Sequence, residues 1–150
     1  MTEEDYIAEL RSRWPRQHSD EVSLATIALA DEAVRDFPSS ARLWVMRGDL
    51  LQLGPELCPH PSEDALASYR RAIKADPLFA EAWDEIYHYY DLIVGDEEAA
   101  QPFFLESLRL RSNREAQRVS HEPSPPVSVS GAPVHRTLDS LPVPGSGGGR

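Results

Sequence analysis

A few side chains in this 150-residue chain have the types and spacing that chemistry needs. Asp84 and His88 stand at i, i+4, the helical spacing that lays a carboxylate against an imidazole as an acid–base pair or as half of a metal site. Glu81, Asp84, Glu85 and Asp91 crowd carboxylates into the same stretch, where they would attract a cation or a basic side chain. Cys58 and His60, separated by Pro59, offer one thiol and one imidazole. None of these groupings is complete. Two ligands are too few for a structural zinc, and no further histidine or nucleophile accompanies the Asp84–His88 pair. No HExxH run, phosphate-cradling glycine loop or GxSxG elbow occurs. The residues therefore point away from catalysis, with no cofactor and no metal. An enzyme or enzyme subunit using Asp84 and His88 remains the alternative of another class.

The charge balance narrows the partners. Lysine plus arginine is 15 against 25 acidic residues, a formal net charge of −10. A nucleic-acid binder needs a basic face to neutralise phosphates, and an anionic membrane surface needs the same. No apolar run is long enough for a membrane span, and Met1 to Tyr6 is acidic rather than a secretory leader. A single cysteine excludes an internal disulfide, so a reducing, cytoplasmic setting is expected.

The chain divides into two unlike parts. Residues 1–111 hold 11 basic and 22 acidic residues and all the aromatic ones, whereas 112–150 hold 4 basic and 3 acidic. The second part also carries 6 of the 13 prolines and 5 of the 8 glycines. Such a composition buries too little apolar surface to offset the entropy of ordering, so 119–150 reads as a disordered tail.

Stepping along the first part reveals a repeat. A shift of 39 residues superposes Ala30, Ala33, Pro38, Ala41 and Trp44 on Tyr69, Ala72, Pro77, Ala80 and Trp83. A shift of 35 then places Ala65, Tyr69, Ala72 and Ile73 over Ala100, Phe104, Ser107 and Leu108. Between these landmarks apolar residues recur at three and four, the helical period. Punctuation by proline, glycine and capping residues predicts six helices. They run over 3–14, from Ser19 or Asp20 to Asp36, over 41–53, from a Ser62 cap to just before Asp76, over 79–94, and from Asp96 to about 118. Pro102 should kink the last of these or delay its start. Val22, Ile27, Ala30, Ala33 and Val34 are core candidates. Trp83, Ile86, Tyr87 and Tyr90 form the expected buried stripe of the fifth helix, leaving Tyr89 off it. Phe103, Phe104, Leu105 and Leu108 should pack on one side only.

The stretch Ala65-x-x-x-Tyr69-x-x-Ala72-x-x-x-x-Pro77 resembles the second half of the tetratricopeptide repeat, and Trp44-x-x-Arg47-Gly48-x-x-Leu51 resembles its first half. In the following unit Tyr87 replaces the glycine. The resemblance covers residues 1–111 and implies an all-α, right-handed superhelix of antiparallel helix pairs, divided at about 3–38, 39–77 and 78–118. It also implies a protein-binding adaptor or scaffold, with a groove lined by the first helix of each pair. Counting along those helices, Arg42, Met46, Asp49, Glu81, Asp84, Glu85, His88 and Asp91 become the partner-binding candidates. The lysine, arginine and asparagine set with which one branch of the family grips a C-terminal carboxylate is absent. An acidic groove suits a basic or amphipathic protein segment; alternatively the acids solvate an exposed helix face. Small acidic chaperones of secretion substrates resemble this chain in size and charge and form a second binding alternative. A weak homodimer through the last helix is a further role left open.

Overall fold

The computed structural model describes residues 1–17, 20–55 and 62–121. Among the described residues all regular structure is helical, with no strand. The order is α1 (Glu3–Ser12), α2 (Leu24–Asp36), α3 (Ala41–Gln52), α4 (Ser62–Ala75), α5 (Ala80–His88) continued by a π-helical turn (Tyr89–Val94), and α6 (Glu97–His121). Each helix packs on the next along the chain, and α3 also meets α5.

Local chemistry explains the ends. Thr2 opens α1 with a reciprocal cap: its hydroxyl accepts from the Asp5 amide, and its own amide donates to the Asp5 carboxylate. The second helix begins later than its sequence suggests. Ser23, not Asp20, is the cap, its hydroxyl accepting from the Thr26 amide; Ser19 lies outside the described residues. The lead-in is held in extended form because Val22 is buried and its amide donates to the Leu53 carbonyl at 3.3 Å. Ser40 caps α3 through the Leu43 amide. Ser62 is already the first helical residue of α4 rather than its cap. Gly95 ends the π turn at φ 73°, a left-handed conformation that glycine adopts without a Cβ penalty.

The last helix departs most from expectation. It starts at Glu97 and runs through Pro102 instead of waiting for it. Proline there removes only the amide that would reach Glu98, whose carbonyl lies at an exposed position open to water. The helix also continues to His121, past 118, although every residue from Arg111 onward is exposed. The rest of the tail expected to be disordered, 122–150, lies outside the described residues.

The 39-residue repeat is written into the hydrogen bonds. The Trp44 indole donates to the Pro38 carbonyl at 2.8 Å, and the Trp83 indole donates to Pro77 at 3.0 Å. Phe37 donates its amide to Ala33 and Ser40 to Phe37; Asp76 and Phe79 do the same to Ala72 and Asp76. The turn joining each pair to the next is thus one design used twice.

The first pair, poorest in motif residues, is tied in by polar contacts as well as apolar ones. Tyr6, Ile7 and Leu10 are buried against α2. The Tyr6 hydroxyl donates to Asp36 at 2.6 Å and to Glu32 at 3.1 Å, and the neighbouring carboxylates hold its phenol well above the ordinary tyrosine range. The Ser40 hydroxyl donates to Glu3 at 2.6 Å, fastening the start of α1 to that of α3.

In α5 the buried stripe is Ala82, Ile86 and Tyr89. This corrects the expectation that Trp83, Tyr87 and Tyr90 lie inside with Tyr89 off the stripe; those three are only half-buried. The large rings occupy the flank toward α6. There Tyr90 stacks on Phe103 with centroids 5.7 Å apart, and Trp83 sits 6.0 Å from the same ring.

Candidate functional site

The site begins with a residue that has no side chain. Gly48 is buried in the middle of α3, and a Cβ there would lie 2.8 Å from the Tyr69 Cζ and closer still to Cε1. Only glycine lets the Tyr69 ring of α4 lie flat against the α3 backbone. That contact buries the ring completely and carries its hydroxyl past Gly48 to the neighbouring polar side chains of α3. There the phenol donates to the Asp49 carboxylate at 2.8 Å and accepts from the Gln52 amide at 2.5 Å.

Asp49 is therefore held in place between helices and partly removed from water. Burial is the main reason its carboxyl rises to about 7, and the negative charge of Glu85 on α5 adds to it. The Tyr69 hydrogen bond opposes both effects. Burial raises Glu85 as well; His88 and Arg111 pull it back and Asp84 pushes it further up. The same burial and negative charges push the Tyr69 phenol far above its usual range. Two carboxyls, on α3 and α5, are thus raised mainly by burial, and no cation pairs with Asp49 among the described residues.

The other sequence candidates separate into different roles. Glu81 and Asp84 face α6 rather than a groove. Arg111 reaches Asp84 at 2.8 Å, the Ser107 hydroxyl donates to it at 3.3 Å, and Arg114 lies 3.6 Å from Glu81. Arg111 and Arg114 of α6 are thus partners of the acidic cluster. Asp84 and His88 do not pair: the carboxylate is turned to Arg111 and Ser107, while His88 is exposed with its ring 5.0 Å from that of Tyr87. Met46 is buried in the core, and Arg42 is half-buried on α3. Asp91 is half-buried on the π turn. Of the eight, Asp49 and Glu85 are the two whose carboxyls burial raises.

Tyr69 and Gln52 are polar neighbours of Asp49 that spacing does not reveal. Tyr69 stands out in the sequence as a packing landmark, but its hydroxyl becomes relevant only once the ring has passed Gly48. Arg47 is another polar link: it bridges Asp31 at 2.7 Å and the Ser68 hydroxyl at 2.6 Å, joining α2, α3 and α4.

Among the described residues no group of three or more histidine, cysteine, aspartate or glutamate side chains could hold a metal ion. Cys58 and His60 lie outside the described residues. No helix among the described residues is long and apolar enough to cross a membrane. No protein-family model, curated protein or solved structure matches this chain.

Proposed function

We propose that this chain is a tetratricopeptide-like helical-repeat adaptor that binds a basic or amphipathic segment of a partner protein between α3 and α5. The observation that carries the reading is the Asp49 carboxyl: held by Tyr69, raised by burial, and paired with no cation among the described residues. A lysine or arginine side chain would supply the missing charge, and the gain would be largest where water is partly excluded. The twice-used Trp-to-Pro turn, the Gly48–Tyr69 packing and the contact between α3 and α5 support the repeat reading. In such an array the first helices of successive pairs line the same face, and binding needs no chemical step.

The test compares the full chain with Asp49→Asn and Glu85→Gln in selection from a random peptide display library. Wild type should enrich lysine- and arginine-containing sequences, and each variant should lose that enrichment while keeping its helical circular dichroism. Enrichment of acidic or neutral sequences by wild type would sink the proposal, and so would equal enrichment by all three proteins. Substitutions at Glu81 or Asp84 are unsuitable, because they would also break the α5–α6 ion pairs.

A further inference from the structure

Two cations on α4 stand apart from the rest of this acidic protein. Arg13, Arg47, Arg109, Arg111 and Arg114 each lie against a carboxylate. Arg71 and Lys74, exposed and one helical turn apart, pair with none among the described residues. With Ala75 they border a surface hollow of about 310 Å³, lined also by Pro38 and Ser39 of the turn between α2 and α3. The Arg71 guanidinium rests over the Trp44 ring, 5.7 Å from its centroid, and the Trp44 indole donates to the Pro38 carbonyl at 2.8 Å. One aromatic ring thus steadies both a cation and the turn beside it. The acid just before that turn, Asp36, accepts from Tyr6 of α1 rather than from either cation.

The repeat supplies an internal control. Shifts of 39 and 35 residues carry Ser39, Lys74 and Ala75 onto Leu78, Arg109 and Leu110, and these three line a second hollow of about 280 Å³. There the positive charge is cancelled. Glu106, in the place of Arg71, binds Arg109 at 2.6 and 3.0 Å. Arg114, also in the lining, lies 3.6 Å from Glu81, and Asp76 stands where the first unit has Phe37. Two hollows of one construction therefore differ in charge, and only the first presents cations without carboxylate partners among the described residues.

We propose that the first hollow seats a glutamate or aspartate side chain of an acidic partner segment, with its carboxylate between Arg71 and Lys74. The methylene stem of such a side chain suits the apolar edges of Pro38 and Ala75. Two cations then act on one carboxylate, where a single exposed pair would count for little. An open hollow of this size takes one side chain of a longer segment rather than a whole ligand. It shares no residue with the surroundings of Asp49, so either site can fail without the other.

NMR titration of the full chain at low salt tests this with the blocked peptide acetyl-Gly-Glu-Glu-Gly-amide, and with its glutamine counterpart as control. Lys74 is the only lysine, so its side-chain signals are unambiguous. The Trp44 and Trp83 indoles, bonded to the two turns, report on the two hollows. The glutamate peptide should shift the Lys74 and Trp44 signals saturably, leave Trp83 unmoved, and lose its effect as salt screens the charges. Arg71→Gln with Lys74→Gln, both at exposed positions, should weaken binding about tenfold at the Trp44 indole. Absence of shifts, equal shifts at Trp83, equal shifts with the glutamine peptide, or unchanged affinity in the variant would overturn the proposal. Saturable shifts with inorganic phosphate where the peptide gives none would overturn it too, making the hollow a phosphate site.

Discussion

Gly48 and Tyr87 occupy the same place in the repeat, 39 residues apart, and so do Tyr69 and Phe104 in the second helices, 35 apart. In the α3–α4 pair the glycine leaves a bare stretch of backbone, and the Tyr69 ring sinks onto it until none of the ring meets water. In the α5–α6 pair a ring already stands where the glycine would be. Phe104 rests on Tyr87 with centroids 5.2 Å apart and remains 38 % exposed. One small-to-large exchange thus changes a closed packing unit into an open one. The closed pair passes a hydroxyl through to Asp49, whereas the open pair leaves an apolar strip on its outside.

This contrast predicts unequal responses to the same change. Tyr69→Ala should cost about 3–5 kcal/mol, the usual range for emptying a fully buried aromatic site, and Phe104→Ala less than about 1 kcal/mol. Denaturant titration of the two variants measures the difference; equal losses would mean the pairs are packed alike. Gly48→Ala should destabilise by about 1–3 kcal/mol despite alanine's better helix propensity, because its methyl group collides with the Tyr69 ring. A gain in melting temperature for this variant would break the comparison at its origin.

A smaller effect of opposite sign is expected at Asp49. Its carboxyl is at about 7 in the folded protein, against about 3.9 in an unfolded chain. Between those values the folded state holds a proton that the unfolded state has lost, so stability falls as pH rises through that window and the deficit is complete above it. Glu85, also raised, adds a slope of the same sign. Asp49→Asn keeps an acceptor for Tyr69 and removes the charge. It should therefore stabilise the protein by about 1–2 kcal/mol at pH 8 and leave it unchanged near pH 4. Melting curves at the two pH values check this. Increased stability together with lost peptide binding is the pattern of a residue kept for function at a cost in stability.

The smallest effect tests where the two pairs agree. Trp44→Phe and Trp83→Phe each remove one indole-to-carbonyl hydrogen bond of the shared turn. Each should cost about 0.5–1.5 kcal/mol, and the two losses should match within the error of thermal unfolding.

Much of the architecture was legible in the residues. Proline, glycine and serine punctuation located the six helices of the described residues, and the shift of 39 located the turn that recurs before Trp44 and Trp83. Boundaries were less legible where a long-range contact overrides a local signal. Val22, bonded to Leu53, delays α2 past Asp20, and Pro102 sits inside α6 at little local disadvantage. The candidate site was half legible. Counting along helices selected Asp49 and Glu85 together with Glu81 and Asp84, but could not tell which carboxylates were already neutralised. The arginines that occupy Asp84 and Glu81 are 27 and 33 positions away along the chain.

By itself, then, the sequence determined the helical class and the turn chemistry around Pro38 and Pro77, because each depends on residues within a few positions of one another. Tertiary structure alone decided that Tyr69 passes Gly48 to reach Asp49, that Arg111 takes Asp84, and that Tyr89 rather than Tyr87 is buried. Those outcomes depend on the distance and rotation between packed helices. Such quantities are set by the volumes of side chains far apart in the chain, one of which, at Gly48, is a volume left empty.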